Sequence, residues 1–427
     1  MTRPLLITNA RLLDPASGLD APGAILIQNG RIASLTGAPA EGAESFDAQG
    51  ACLAPGLVDM RASIGEPGAE HRETIASAAQ AAAAGGITTL ALMPDTDPAL
   101  DDPALVEFVI RRGETTGSLT LCPFGAATKH CAGKELAEYG LLREAGAVGF
   151  SDGSKAIASS RMMRLALSYA AAFGAMVVQH PEDPSLAGTG SATEGELATR
   201  LGLPGMPAAA EAILVARDIA LARLTSGHVH FGHVSTGAAL DLIRAAKAEG
   251  SRGGFTVTCD TAPPYFDLNE TAIGDFRSYA KLSPPLRREA DRLAVVAALA
   301  DGTIDAIASD HQPRDADDKR LPFAQAEAGG VGLATLLGVT LARVHGGQLP
   351  LLTALGLMTH RPAALLGLES GRLAVGAPAD LCLFWPDRAW QVKAGQLPGK
   401  AQNSPFDGRA LEGRVMATFK AGRRVFG

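Results

Sequence analysis

Residues 57–94 read LVDMRASIGEPGAEHRETIASAAQAAAAGGITTLALMP. Two short apolar runs, 57–63 and 87–94, flank an alanine-rich stretch at 73–86 that favours a helix. Apolar runs of this length, bounded by turn residues, are typical of strands that are buried on both faces. The segment therefore predicts a strand, a helix and a second strand parallel to the first.

The same alternation continues along most of the chain. Alanine-rich helical candidates, such as residues 206–224, separate the apolar runs. Strand–helix alternation repeated about eight times predicts an α/β fold of the (β/α)₈, or TIM, barrel type, here across residues 55–364. The eight predicted strands are 57–63, 87–94, 118–125, 147–152, 176–180, 228–234, 255–260 and 304–310.

Both ends of the chain have a different pattern. Residues 4–50 contain apolar-rich runs and the pair Asn29-Gly30, which is a strong hairpin signal. The stretches 371–386 and 413–427 also contain short apolar-rich runs. We expect the two ends to pair into one small satellite β domain, similar to a β-sandwich and formed by residues 1–54 together with 365–427.

Composition narrows the classes of protein that fit. The formal charge is −7 and no block of lysine and arginine stands out, which argues against nucleic acid or an anionic membrane as a partner. No apolar run reaches the roughly 18 residues that a membrane span needs, and the N-terminus lacks the apolar core of a signal peptide. The five cysteines form no C-x-x-C pair, so reduced thiols in a cytoplasmic protein are expected.

Polar residues follow four of the predicted strands, where functional groups lie in such a barrel. They are Asp152, His180, His233 and Asp310. Imidazole and carboxylate are ligands of a zinc-like ion, which lowers the pKa of bound water, and a nearby carboxylate can accept the proton. Any one of the four alone is better explained as a turn residue, a helix cap or a structural histidine. The four together favour a metal site, with His311 as a supporting residue.

Several motifs occur along the chain in a fixed order. The segment from PGLVDM to MPDTDP (55–98) is followed by FSDGSKAI, QHPED, HVHFGHVSTGAAL, IASDHQP and GRLAVGAPADL. In this order they resemble dihydroorotases of the amidohydrolase superfamily, over essentially the whole chain. The resemblance implies the barrel and the satellite domain. It also implies ancestry in the reversible cyclisation of carbamoyl-aspartate to dihydroorotate, a step of pyrimidine synthesis.

The resemblance also implies roles for single residues. Asp152 stands where the family has a metal-bridging acidic residue or modified lysine. His180 and His233 correspond to the two histidines of the more buried metal position. Asp310 corresponds to the catalytic aspartate that shuttles the proton.

The chain departs from the family at metal and substrate positions. The family's D-x-H-x-H motif reads D-M-R-A-S, so Arg61 and Ser63 replace both histidines. A guanidinium cannot ligate a cation and repels one nearby. Gly65 stands where an arginine that grips the substrate carboxylate is expected, while Asp95 and Ser283 replace asparagines in two substrate-region motifs.

Three functions stay open at this point. We favour a dihydroorotase-like protein that is impaired or inactive and acts as a structural partner of aspartate transcarbamoylase, as some inactive relatives do. Arg61 would then pair with Asp152 or Asp310 where the metal would have been. The alternative is a hydrolase of cyclic amides, similar to dihydroorotase, hydantoinase or allantoinase, with at most one zinc ion held by Asp152, His180 and His233.

The third function, an ordinary active dihydroorotase, needs a compensation for the changed residues that the sequence does not contain. A homo-oligomer or hetero-oligomer is expected. A lid role for the charged loop 312–326 rests on the resemblance alone.

Overall fold

The structure, a computed structural model, describes residues 3–37 and 40–427, except for the side chains of residues 251 and 252. The strands of this part are β1 (Leu5–Asp14), β2 (Leu19–Gln28), β3 (Arg31–Ser34), β4 (Glu44–Asp47), β5 (Cys52–Pro55), β6 (Leu57–Ala62), β7 (Ile87–Leu92), β8 (Thr120–Pro123), β9 (Gly125–Ala126), β10 (Phe150–Ser151), β11 (Met176–Gln179), β12 (Ala192–Thr193), β13 (Gly205–Met206), β14 (His228–Phe231), β15 (Thr256–Thr261), β16 (Ala306–Ile307), β17 (Leu381–Gln391), β18 (Ala410–Lys420) and β19 (Arg423–Phe426).

The α-helices lie mainly between the parallel strands. They are α1 (Ile75–Ala84), α2 (Pro103–Thr116), α3 (Tyr139–Glu144), α4 (Ser160–Ala171), α5 (Pro184–Ala187), α6 (Glu196–Leu201), α7 (Ala209–Thr225), α8 (Gly237–Gly253), α9 (Pro263–Asp267), α10 (Glu289–Asp301), α11 (Ala316–Arg320), α12 (Leu336–His345), α13 (Leu351–Gly356) and α14 (His360–Leu365). Helix α1 begins at a capping box, in which the Thr74 side chain accepts from the Ser77 amide and Ser77 accepts in return.

Parallel strands form the predicted barrel. Strands β6, β7 and β8 pair in order, β9 follows β8 after one residue, and β9 then pairs with β10, followed by β11, β14, β15 and β16. The barrel closes between its last and first strands, because Ala62 forms a bridge with His311 and the Ser63 amide donates to the His311 carbonyl at 2.7 Å. Each predicted run overlaps a barrel strand, so the predicted fold class is confirmed.

Alternation along the strands sorts side chains into two apolar layers. Leu90 and Leu92 of β7 pack with the surrounding helices. Ala91 and Met93 point into the barrel, where they pack with Val58 and other small or flexible residues. Burying an aliphatic side chain of this size contributes about 1.5–3 kcal/mol, which explains why the strands read as nearly continuous apolar runs.

The satellite sheet joins both ends of the chain. Its strand order is β19-β18-β17-β5-β1-β2-β3, with β4 paired to β1. Strand β5 is parallel to β1 and antiparallel to β17, so N-terminal and C-terminal strands share one sheet. The division after residues 54 and 364 stays a prediction. All five cysteines are buried free thiols. Among the described helices, none combines the length and the apolar character that a membrane crossing requires.

Candidate active site

Arg61 lies at the mouth of the barrel, almost fully buried. The pairing register of β6 with β7 shifts within this part of β6, and such a shift re-aims a side chain. Its Nε lies 3.2 Å from Asp310 Oδ1, and its Nη2 donates to the Gly153 carbonyl at 3.1 Å. Its Nη1 lies 3.3 Å from Met93 Sδ. A Cβ at Gly232 would approach Nη1 to 2.9 Å, so glycine makes room for the guanidinium.

Asp310 carries the charge that faces this arginine. Burial disfavours its ionised form, but the His233 ring and the Arg61 guanidinium outweigh burial and hold the pKa of Asp310 at about 2. Gln312 Nε2 also donates to Asp310 Oδ1, at 3.0 Å. The backbone of Asp310 has a φ of +48°, a strained value for a residue with a side chain. The predicted ion pair of Arg61 is therefore formed with Asp310.

The two histidines contact each other directly. His180 Nδ1 and His233 Nε2 share a hydrogen bond of 2.6 Å. Burial and the nearby Arg61 lower the pKa of His233, which favours the neutral ring. Its Nδ1 lies 3.3 Å from Asp310 Oδ1, yet within the described part of the chain this buried nitrogen has no hydrogen-bond partner. His233 also has a positive φ, +41°.

Asp152 is buried, and both of its oxygens are hydrogen-bonded. The Thr128 amide donates to Oδ1 at 2.8 Å, and the Thr128 hydroxyl donates to Oδ2 at 2.6 Å. Burial raises the pKa of Asp152 to about 6, and the two hydrogen bonds only partly offset this rise. The Asp152 carboxylate is thus hydrogen-bonded to Thr128 at the barrel mouth.

This arrangement does not fit a divalent ion. The side chains that would bind an ion make contacts within the protein instead, since Asp152 accepts from Thr128 and His180 bonds to His233. The positive Arg61 guanidinium already neutralises Asp310. Across residues 3–37 and 40–427, no group of three or more His, Cys, Asp or Glu side chains has the geometry of a metal site. The structure brings the four predicted residues to one region but does not assemble them as ligands.

The substrate-region residues have structural contacts of their own. At Gly65 a Cβ would lie 2.0 Å from the Ala69 carbonyl oxygen, so the turn leaves no room for the expected arginine. Asp95 Oδ2 accepts from the Ser154 amide at 2.9 Å and from its hydroxyl at 2.6 Å. Ser283 Oγ lies 3.3 Å from His180 Nε2. The cavity beside Asp310 encloses about 10 Å³, roughly the space of one water molecule.

Asp260 and Glu73 are among the polar groups at the site that the sequence did not indicate. Asp260, at the end of a predicted strand, accepts from the His233 amide at 2.5 Å and contacts His230 Nε2 at 2.9 Å. Its place at a strand end was the signal that could have identified it. Glu73, which precedes the N-cap of α1, is buried against His311 Nε2; nothing in the neighbouring sequence distinguishes it from a surface glutamate. Predicted as a supporting residue, His311 also lies in the barrel closure.

Comparisons with known proteins agree with this fold. A family model described as Dihydro-orotase-like matches residues 50–239. The chain is 44% identical over 425 residues to a dihydroorotase of Pelobacter propionicus and 43% identical to one of Citrifermentans bemidjiense, with 99% of each chain covered. The L-hydantoinase (dihydropyrimidinase) of Arthrobacter aurescens matches with a TM-score of 0.87 at 25% identity, over 100% of this chain and 96% of that chain.

A more distant structure gives the same architecture. The D-hydantoinase (dihydropyrimidinase) of Thermus sp. matches with a TM-score of 0.80 at 24% identity, over 99% of this chain and 95% of that chain, and this likeness concerns the fold alone. The high identity to curated relatives extends over nearly the full length of both chains. The chain therefore belongs to the dihydroorotase family, which is a family of amidohydrolase fold.

Proposed function

We propose that this protein is a dihydroorotase homologue in which a buried arginine replaces the family's metal, so that dihydroorotate hydrolysis is lost or strongly impaired. The observation that carries the proposal is the ion pair between Arg61 and Asp310 inside the barrel mouth. A guanidinium supplies a positive charge at this place but offers no vacant orbital to activate water or to polarise a carbonyl.

Asp310, which corresponds to the family's proton-transfer aspartate, is also affected by the ion pair with Arg61. A general base works best when its pKa lies near the working pH and when it can reach the proton. The pKa of Asp310 is held at about 2, and its Oδ1 is already bonded to Gln312. The base and the electrophile of the family's reaction are therefore both affected at this site.

For the role that remains, we propose a structural partnership with aspartate transcarbamoylase. Support comes from a complete barrel and satellite sheet, and from large apolar side chains exposed on the helices. Leu224 of α7 and Leu293 of α10 are 68% and 50% exposed. These two exposed side chains are the contact residues that the proposal puts to the test.

A hydrolase of cyclic amides with a single metal is the second candidate. The observation that favours it is the buried Nδ1 of His233, which lies 3.3 Å from Asp310 Oδ1 and has no hydrogen bond among the described residues; an imidazole nitrogen without a hydrogen bond is available to an ion. Asp152 and His180 lie at nearby strand ends. Rotation of Asp152 away from Thr128 and separation of the two histidines would be needed to complete the ligand set.

Metal content and turnover distinguish the impaired homologue from the hydrolase with a single metal. Protein purified without a chelator is analysed for zinc and assayed with dihydroorotate, carbamoyl-aspartate, hydantoin and allantoin. We expect substoichiometric zinc and no turnover above the uncatalysed background. Turnover of dihydroorotate that a chelator abolishes would contradict the main proposal, whereas chelator-sensitive turnover of hydantoin or allantoin alone would favour the second candidate.

The partnership has its own test. The protein and the aspartate transcarbamoylase of the same organism are co-expressed and analysed by size-exclusion chromatography with light scattering. We expect a joint complex that Leu224→Glu/Leu293→Glu weakens. The control variant Leu141→Glu/Val375→Glu changes two equally exposed apolar residues on other elements and should leave the complex intact. Separate elution of the two proteins at all concentrations would exclude the partnership.

A further inference from the structure

A second cavity lies between the barrel and the satellite sheet. It encloses about 660 Å³, within the roughly 300–1,000 Å³ range of small-molecule sites. Helix α12, strands β17 and β18, and the segment 394–398 surround it. We call this cavity the satellite groove; its apolar lining includes Leu337, Trp390, Leu397, Val415 and Phe426.

The charged side chains that line the satellite groove are all positive. Its charged lining residues are Lys393 and Arg414, and no acidic side chain of the described chain lines it. Both cations are exposed, and neither forms an ion pair with any residue that the structure describes. The nearest acid in sequence to Arg414, Glu412, contacts His345 at 3.3 Å. Two cations without an ion-pair partner in the described chain therefore border a groove with a mixed polar and apolar lining.

The backbone and the indole give the groove a fixed wall. Trp390 Nε1 donates to the Gly413 carbonyl at 2.9 Å, which holds the ring in place. The register between β17 and β18 shifts just before Trp390, and Gly413 has a φ of +94°. A Cβ at Gly413 would lie 2.4 Å from Leu341 Cδ1. The indole is only partly buried and lines the groove, so it can contribute aromatic contact area to a planar ligand.

We propose that the satellite groove is a ligand site for a molecule that combines a planar ring with an anionic group. The ring packs against Trp390 and the neighbouring aliphatic side chains, and the anion pairs with Lys393 and Arg414. The site is separate from the barrel mouth, and it does not depend on the function proposed above. Cations at the rim of the groove favour a ligand of negative charge, and they orient the ligand by pairing with its anionic group.

The probe is 8-anilinonaphthalene-1-sulfonate, an apolar aromatic anion, titrated into Trp385→Phe protein so that Trp390 is the single tryptophan. Energy transfer from Trp390 to the dye reports binding in the region of this indole, and the groove variant tests whether the groove itself is the site. We expect saturable transfer and a Kd that rises about tenfold or more, equivalent to about 1.4 kcal/mol, in Lys393→Glu/Arg414→Glu protein. Circular dichroism checks that each variant keeps its fold.

A matched variant separates this site from general surface charge. Arg372→Glu/Arg388→Glu makes the same charge change at two exposed arginines outside the groove and should leave the Kd unchanged. Equal Kd values for the wild type and the groove variant, or an equal loss in the control variant, would overturn the proposal. Displacement of the dye by uridine monophosphate identifies a nucleotide as the source of ring and anion, and displacement by indole-3-acetate identifies an aromatic carboxylate. Failure of both to displace it would overturn the proposed ligand class.

Discussion

Arg61 Nε lies 3.2 Å from Asp310 Oδ1, with the side chains only 2% and 9% exposed. Arg61 belongs to the first barrel strand and Asp310 follows the last one, so this ion pair lies beside the closure of the barrel. In the family resemblance both positions serve a metal-dependent reaction. Here they form an internal contact that a metal would have to displace.

Removal of Arg61 should destabilise the fold. Arg61→Ala leaves the carboxylate of Asp310 buried without its cation, which typically costs about 3–5 kcal/mol. Urea denaturation at pH 7 measures the change in the free energy of unfolding. The control is Arg11→Ala, because Arg11 and Asp20 form an exposed pair worth about 1 kcal/mol or less. Equal losses in the two variants would show that the buried pair has no special weight.

Asp152 should make stability fall as the pH rises. Its pKa is raised from 3.8 to about 6 in the folded protein, so the folded state holds the proton more tightly than the unfolded state. This contribution is complete below about pH 4 and is lost as the pH rises through about 6, by about 3 kcal/mol at most.

Asp152→Asn removes this titration. The free energy of unfolding of the variant, relative to that of the wild type, should therefore increase between pH 4 and pH 7. Denaturant titrations at several pH values measure the difference. The exposed Asp317→Asn should follow the wild-type profile. Parallel profiles for Asp152→Asn and the wild type would refute this prediction.

A side chain at Gly65 should not be tolerated. A Cβ there would lie 2.0 Å from the Ala69 carbonyl oxygen and 2.8 Å from that of Glu73, and backbone atoms cannot move aside cheaply. Gly65→Ala should therefore cost about 1–3 kcal/mol, and Gly65→Arg more. Thermal unfolding measures the loss. Gly395→Ala, whose Cβ would have 3.8 Å to its nearest neighbour, should stay within about 0.5 kcal/mol of the wild type.

The barrel could be predicted because its signal is repeated. Buried parallel strands need apolar side chains on both faces, and the runs at 57–63 and 87–94 consist mainly of such residues. Strand bounds were less predictable. The run 304–310 contains only the two-residue strand β16, and it ends at a residue with a positive φ, Asp310.

The site was predictable in its members but not in its contacts. Strand-end position brings His180 and His233 together, and the charge of Arg61 predicts a carboxylate partner. Composition alone could not choose between Asp152 and Asp310, because the choice depends on Thr128, which already donates twice to Asp152. The contact of Gln312 with Asp310 depends on a loop path that has no periodicity.

Lys319 should hold the loop 312–326 in place. The Lys319 side chain is buried, and its Nζ donates to the carbonyls of Ser278, Lys281 and Glu327 at 3.1, 3.3 and 2.6 Å. Lys319→Met leaves three acceptors without their donor, at a cost of about 1–3 kcal/mol for each buried group. Amide hydrogen exchange in residues 312–326 should accelerate about tenfold or more. Lys393→Met, at an exposed lysine, should leave this exchange unchanged, and unchanged exchange in Lys319→Met would contradict the anchoring role.

Restoring the two histidines should restore a metal site. In Arg61→His/Ser63→His the guanidinium no longer neutralises Asp310, and two imidazoles join Asp152, His180 and His233 at the barrel mouth. Imidazole and carboxylate in this number are a zinc-binding set, so zinc analysis by mass spectrometry should rise from well below one ion to about one or more per chain. Ser63→His alone keeps Arg61, and the retained positive charge should hold its zinc content at the wild-type value. Equal zinc in the single and double variants would mean that Arg61 does not exclude the ion. Zinc binding without dihydroorotate turnover in the double variant is the expected outcome, because Gly65 still leaves no room for the carboxylate-binding arginine.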